Sequence, residues 1–311
     1  MTIIEAALEK QKALRGLRPD THSHGQVAPG APPVSAPPPA ATSPTTIVSP
    51  TTTGRRSGDF VPTVRPSTQI QAHRVTFDPK HARENRLLLN SSVAEDRGTI
   101  AAYGMLRTRI LHRARPNNWH IIGVTSAAPQ DGKSLTTVNL ALSLAREKNS
   151  SVILLDLDMR NPSVCRTLGI TPPVELRSFF EQRVDSPKDL FMSIGLDNFL
   201  VAGNLTTVEN SAELLASTRL EDLFSYIKQM TTNPLILCDL PPALSPDDTL
   251  VVAPRIDALV VVASEGITPR SDLQKAADLL KDFPIAGMVL NRSTDFSQKY
   301  GYGYGGGDGA T

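Results

Sequence analysis

A lysine–serine pair in a glycine-containing loop and aspartates at the ends of apolar runs are the residues of this chain best suited to chemistry. The run HIIGVTS leads straight into AAPQDGKS and then into SLTTVNLALSLA. From Ala127 to Ser134 the spacing is a small residue, four others, then Gly-Lys-Ser, between a strand pattern and a helix pattern. Such a loop turns the backbone N–H groups of residues 130–135 toward one point at a helix N-terminus, where the dipole favours an anion. The loop residues offered to a phosphate chain are therefore Ala128, Gln130, Asp131, Gly132, Lys133, Ser134 and Leu135, with Thr136 as an added contact. Lys133 supplies a point charge for phosphate oxygens. Ser134 supplies a hydroxyl for Mg²⁺.

Two further stretches supply carboxylates. VILLDLDMRNPS carries Asp156 and Asp158 two residues apart, a spacing that points both to one face of a strand end. Two like charges this close are costly unless a cation neutralises them, although a solvated strand end before the Asn161-Pro162 turn fits the same residues. LILCDLPP ends an apolar run in Asp239, placed to hold Mg²⁺ or to orient an attacking group. Pro241 and Pro242 stop that strand. Asn291 and Arg292 follow the last apolar run, near where an adenine could sit, and a cap explains Asn291 as well. Tyr300, Tyr302 and Tyr304 alternate with glycine in the tail, as a phosphoacceptor cluster or as a low-complexity spacer.

The elements that must position these residues alternate. Strand-like runs are HIIGVTS, VILLDLD, NFLVAG, LILCDL, ALVVVAS and IAGMVLN, with helical segments at 133–147, 209–230, 246–254 and 269–282. Apolar runs bounded by turn residues suit strands buried on both faces. Their alternation with helices predicts an α/β fold with a doubly wound, mostly parallel sheet. Residues 97–115 have helical spacing, ended by Pro116. The expected organisation is an amphipathic helix at 1–18, a disordered Pro/Ala/Ser/Thr-rich linker at 19–96, the catalytic domain at 97–295 and a flexible tail at 296–311. The 1–18 helix is either a weakly ordered terminus or a docking element for a partner or membrane surface.

Composition narrows the class. Lys and Arg number 32 against 31 Asp and Glu, which gives no basis for bulk nucleic-acid binding. Cys165 and Cys238 lie far apart and form no CxxC pair, so a reduced, cytoplasmic compartment fits. No apolar run approaches the roughly 18 residues needed to span a bilayer. Glu5 and Glu9 fall where a signal peptide would be apolar.

At these motifs the chain resembles the bacterial tyrosine kinases, the cytosolic ATPases of polysaccharide export and polymerisation. The likeness covers roughly residues 97–304 and includes NSAELLAS at 210–217 and the tyrosine tail. It implies a P-loop NTPase architecture of the deviant-Walker, MinD/ParA-like kind, and an autokinase that moves the γ-phosphate of ATP to tyrosines in a neighbour's tail. Carried over by position, Lys133 and Ser134 bind phosphates and Mg²⁺. Asp156 takes the tyrosine proton, and Asp158 and Asp239 are metal-binding carboxylates. The implied partners are further copies of the chain in a homo-oligomer and a separate transmembrane polysaccharide co-polymerase that recruits it to the cell membrane. Two departures stand out. Gln130 replaces a frequent glycine, which stiffens the loop, and Ala101, Gly104 and Arg107 keep only the last member of an ExxRxxR assembly helix. A MinD/ParA-type positioning ATPase competes, but its signature lysine is Ala128 here. A nucleotide-binding, non-kinase adaptor of a membrane polymerase is the third reading. No GxGxxG follows the first strand, which sets a dinucleotide dehydrogenase aside.

Overall fold

Strands covered on both faces should be apolar at nearly every position rather than at every second one. In the computed structural model β2 (Ile121–Ser126), β3 (Ser151–Asp156), β6 (Pro234–Asp239) and β7 (Ala258–Ser264) are buried at every residue. The structure describes residues 70–88, 97–147, 150–245 and 248–293. The expected helix at 1–18, most of the expected linker and Tyr300, Tyr302 and Tyr304 lie outside the described residues.

The sheet is completed by β1 (His73–Arg74), β4 (Met192–Ser193), β5 (Phe199–Ala202) and β8 (Ile285–Asn291), in the order β1-β4-β5-β3-β6-β2-β7-β8. The described pairings are parallel except β4 with β5. Successive residues of each strand feed opposite faces. Ile153 and Leu155 enter one apolar cluster, and Val152 and Leu154 enter the other. Each such side chain contributes about 1.5–3 kcal/mol of burial.

Two helical layers cover those faces. Beside Val152 and Leu154 lie α1 (Pro79–Glu84), α2 (Arg97–Ala114), α3 (Lys133–Leu144) and α4 (Val164–Leu168), through Ala82, Ile110, Val138 and Leu168. The other face takes α5 (Leu176–Phe180), α6 (Ser211–Ala216), α7 (Arg219–Met230), α8 (Asp248–Val252) and α9 (Arg270–Leu279). The doubly wound α/β expectation therefore holds. From β2 the chain passes to β3 on one side of β6, and from β6 it crosses β2 to reach β7. Ligands of such sheets bind where the chain reverses direction in this way, beyond the carboxyl ends of the strands.

Several expectations need correction. The helix read at 209–230 is two helices, separated at Ser217, whose ψ of 160° is extended. β3 stops at Asp156, so Asp158 lies beyond the strand rather than on its face. The linker read through residue 96 is also too long. Ile70 is buried, the His73 N–H donates to the Phe191 carbonyl at 2.8 Å, and the Val75 N–H donates to the Ser193 carbonyl at 3.0 Å. Asp78 caps α1 by accepting from the Lys80 N–H at 2.8 Å. The segment then reaches α3, where Asn139 Oδ1 accepts from the Leu88 N–H at 3.0 Å and Asn139 Nδ2 donates to the Arg86 carbonyl at 3.1 Å. Composition misses this segment because two-residue strands carry no periodicity.

Asn139→Ala removes both bonds and strands a buried backbone donor. It is expected to cost about 1–3 kcal/mol, read as a lower urea midpoint. An unchanged midpoint would mean that residues 86–88 add nothing to stability.

Candidate active site

β2 ends at Ser126, and the chain turns through Ala127–Gly132 into α3. Gly132 takes φ +82°, and a Cβ there would lie 2.1 Å from Asn291 Nδ2, so only glycine fits. Gln130 also sits in the left-handed region, at φ +65°, without being glycine. Holding a side chain there costs roughly 1–2 kcal/mol. The loop leans on the ends of β7 and β8. The Asp131 carbonyl accepts from Ser264 Oγ at 3.0 Å and from Asn291 Nδ2 at 2.9 Å. The Gln130 carbonyl accepts from Arg292 Nη2 at 3.0 Å.

The centre of the site is the Lys133 ammonium. It donates to Asp158 Oδ2 and Asp239 Oδ2, each at 3.1 Å, and to Ser134 Oγ at 3.2 Å. Lys133 is only 7% exposed, Asp158 4% and Asp239 0%, so these ion pairs are shielded from water. Burial alone would push the Lys133 pKa down. The charges of Asp239, Asp158 and Asp156 outweigh it, and the net direction is up. Burial raises the Asp158 pKa, opposed by Lys133. Thr137 Oγ1, one turn into α3, has one proton for two acceptors, the Lys133 carbonyl at 2.9 Å and Asp239 Oδ1 at 3.0 Å.

Asp156 stands opposite Asp239 across the β3–β6 register. It is fully buried, and its Oδ2 accepts from the Ser163 N–H at 3.0 Å and the Val164 N–H at 2.9 Å. Its Oδ1 is buried with no hydrogen-bond partner. Burial, then the Asp239 charge, raises its pKa well above the ordinary carboxylate value, against the Val164 N–H and Lys133.

Lys133, Ser134, Asp158 and Asp239 are thus brought together as expected, with Asp156 beside them but tied to the backbone at the start of α4. Asn291 Nδ2 and Arg292 Nη2 each donate one bond to a loop carbonyl, and Arg292 is exposed. Leu135 packs its side chain against the core. Residues missed in the sequence are Thr137, Ser264 and Thr268, and the group in which Asp248 is held by Arg160 Nε at 3.2 Å and by Ser211 Oγ. A hydroxyl four residues after Lys133 was the one signal pointing to Thr137.

The donor set fits a phosphate-bearing ligand with a hard divalent cation. Among the described residues no three His, Cys, Asp or Glu side chains converge as a metal-ligand group. Mg²⁺ suits such a site, because it takes one or two carboxylates and fills its other positions with water and phosphate oxygens. The unpartnered Asp156 oxygen and the surplus of buried carboxyl groups over ammonium mark a cluster short of positive charge.

A P-loop leading into α3, with its lysine facing one carboxylate at the end of β6 and one just beyond the neighbouring β3, defines a P-loop nucleotide-binding protein. The ParA family model, described as NUBPL iron-transfer P-loop NTPase, matches residues 117–303, and the chain belongs to that family. Proteins of this fold bind a nucleotide with Mg²⁺. The chain is 29% identical over 209 residues to the tyrosine-protein kinase YwqD of Bacillus subtilis (strain 168), covering 64% of this chain and 84% of that protein. It is 29% identical over 186 residues to the tyrosine-protein kinase CpsD of Streptococcus pneumoniae serotype 4, covering 58% of this chain and 79% of that one. The VpsO kinase domain superposes with a TM-score of 0.56 at 24% identity, over 64% of this chain and 97% of that domain, a likeness of fold. Cys165 and Cys238, buried in the separate clusters on opposite sheet faces, have thiol pKa values pushed up by burial, a poor pair for carrying iron.

The raised Asp156 pKa has a signed consequence. The folded state holds this proton where the unfolded state has lost it, so stability falls as pH rises from the unfolded value, 3.8, through the folded pKa. Asp156→Asn keeps an acceptor for Ser163 and Val164 and removes that cost. It should raise the melting temperature of nucleotide-free protein at pH 7, by about 2–4 °C for each kcal/mol relieved, and the gain should shrink toward pH 4. Calorimetry across that range checks it, and a gain that grows on acidification would be the wrong sign.

Proposed function

We propose that the chain is an ATP-dependent protein-tyrosine kinase that phosphorylates Tyr300, Tyr302 and Tyr304 in the tail of a neighbouring copy and thereby regulates exopolysaccharide polymerisation and export. The observation that carries the proposal is the Lys133 ammonium held at 3.1 Å from both Asp158 and Asp239 at the mouth of the loop. The named relatives YwqD and CpsD, both tyrosine-protein kinases, support the choice of reaction.

Phosphoryl transfer asks a protein mainly for positioning and charge neutralisation. When bound, Mg²⁺·ATP supplies the transferable phosphoryl group. The loop N–H groups and Lys133 hold the phosphates and balance their charge. Ser134 Oγ, Asp158 and Asp239 hold the cation. With the added positive charge of bound Mg²⁺·ATP, Asp156 would give up the proton it holds in the nucleotide-free protein and would then accept the tyrosine hydroxyl proton at Oδ1, the oxygen that no protein donor occupies.

Each phosphate adds up to about two negative charges per tyrosine. Tails so charged repel one another, which would cycle an oligomer between assembled and released states. No described helix is long and apolar enough to cross a membrane. Recruitment to the inner face of the membrane is assigned to a separate transmembrane co-polymerase. Arg107, the surviving member of the assembly pattern, is spent inside the molecule, donating to the Ser143 carbonyl at 3.0 Å and lying 3.5 Å from Glu147.

The test is incubation with γ-labelled ATP and Mg²⁺, followed by mass spectrometry of the C-terminal peptide. Wild type should carry phosphate on Tyr300, Tyr302 or Tyr304. Lys133→Ala should lose on the order of 10²- to 10³-fold in labelling rate. Unlabelled tyrosines in wild type, with nucleotide bound, would remove the kinase assignment and leave a nucleotide-switched adaptor.

A further inference from the structure

The proposed chemistry has no use for the Asp131 carboxylate. The side chain belongs to the phosphate-binding loop, yet it is buried, with the residue 1% exposed. A carboxylate this close to bound phosphates repels them, so its presence needs a compensating role. It is not free to ligate a cation. Its Oδ2 accepts from the Ala128 N–H at 3.0 Å, inside the loop. Its Oδ1 accepts from Thr268 Oγ1 at 2.5 Å, from the turn between β7 and α9.

The Thr268 hydroxyl has little choice of partner. Its oxygen accepts from the Ser264 N–H at 2.7 Å, which leaves its proton for Asp131. Residues Ser264–Thr268 form a tight turn, in which the Thr268 N–H also donates to the Ser264 carbonyl at 3.0 Å. Such a turn closes without help from outside. The bond to Asp131 is therefore additional, and it fastens the turn to a loop 137 residues earlier in the chain. Ser264 Oγ strengthens the same junction by donating to the Asp131 carbonyl at 3.0 Å.

We propose that Asp131 and Thr268 are a pair of positioning residues that clasp the phosphate-binding loop to the β7–α9 turn and keep it in its binding shape before nucleotide arrives. The inference rests on the nucleotide-site reading above and concerns what shapes that site. A loop already ordered loses less conformational freedom when its ligand binds. The clasp thus sets nucleotide affinity without touching the ligand. Gln130, at φ +65°, gives the clasp something to hold, because a strained residue persists only when its surroundings fix it.

The experiment compares wild type, Thr268→Val and Thr268→Ser. Valine matches threonine in shape and lacks the hydroxyl, whereas serine keeps it. Hydrogen exchange is followed in nucleotide-free protein on a peptide spanning residues 127–132, with residues 151–156 of β3 as the control for global folding. ATP·Mg²⁺ affinity is measured by titration calorimetry. Thr268→Val should speed exchange at 127–132 with β3 unchanged and weaken binding roughly tenfold. Thr268→Ser should keep both near wild type. Wild-type exchange at 127–132 in Thr268→Val overturns the clasp, as does equal loosening in both variants. Faster exchange with unchanged affinity overturns its role in binding. If wild type binds no nucleotide, the site reading fails and the link to affinity with it, while exchange still decides whether the clasp exists.

Discussion

One ammonium shared by two buried carboxylates is the constraint on which the site depends. Lys133 enters from the start of α3, Asp158 from the loop after β3 and Asp239 from the end of β6. Removing one partner of such a pair costs about 3–5 kcal/mol, because the other charge stays buried and unmatched. The arrangement therefore persists only if three strand ends stay in register. Asp156 makes the balance harder still. With it, three buried carboxyl groups face one ammonium, and a proton on Asp156 or added positive charge must settle the difference. This imbalance is why the cluster is proposed as a place for a cation rather than read as a finished structural ion pair.

The fold meets that constraint through ordinary packing. β3, β6, β2 and β7 are adjacent, and their alternating apolar residues are gripped by helices on both faces. Asp156, Asp158 and Asp239 sit at or just beyond the carboxyl ends of rigid strands, where small backbone errors are suppressed. The phosphate-binding loop, the least regular part, is tied from outside by Ser264, Thr268, Asn291 and Arg292. Segment 70–88 adds a tie on the far side of α3 through Asn139. The helix that presents Lys133 is thus restrained at its start by the loop clasp and along its length by the N-terminal segment.

Much of this was legible in the residues alone. β7 and β8 run over the stretches expected, because continuous apolar runs ending in turn residues leave little freedom of interpretation. The convergence of Lys133, Asp158 and Asp239 was legible because residue type and strand-end position agree. Three features were not. Asp158 reaches the ammonium from a loop, a matter of backbone direction after Asp156 that spacing does not encode. The bond from Asn291 Nδ2 to the Asp131 carbonyl was not foreseen, because a side-chain amide has no preferred partner until the fold supplies one. The partnership of Asp131 with Thr268 is long-range, and each residue alone reads as an ordinary polar loop position.

The most direct measurement is a crystal structure of the protein with a non-hydrolysable ATP analogue and Mn²⁺, located by anomalous scattering. The predicted result is a single metal peak beside Ser134 Oγ with Asp158 and Asp239 facing it, and the Lys133 ammonium drawn onto phosphate oxygens. A metal peak elsewhere, or a bound analogue with Lys133 still bridging its two carboxylates, would contradict the claim that these residues grip a metal–nucleotide.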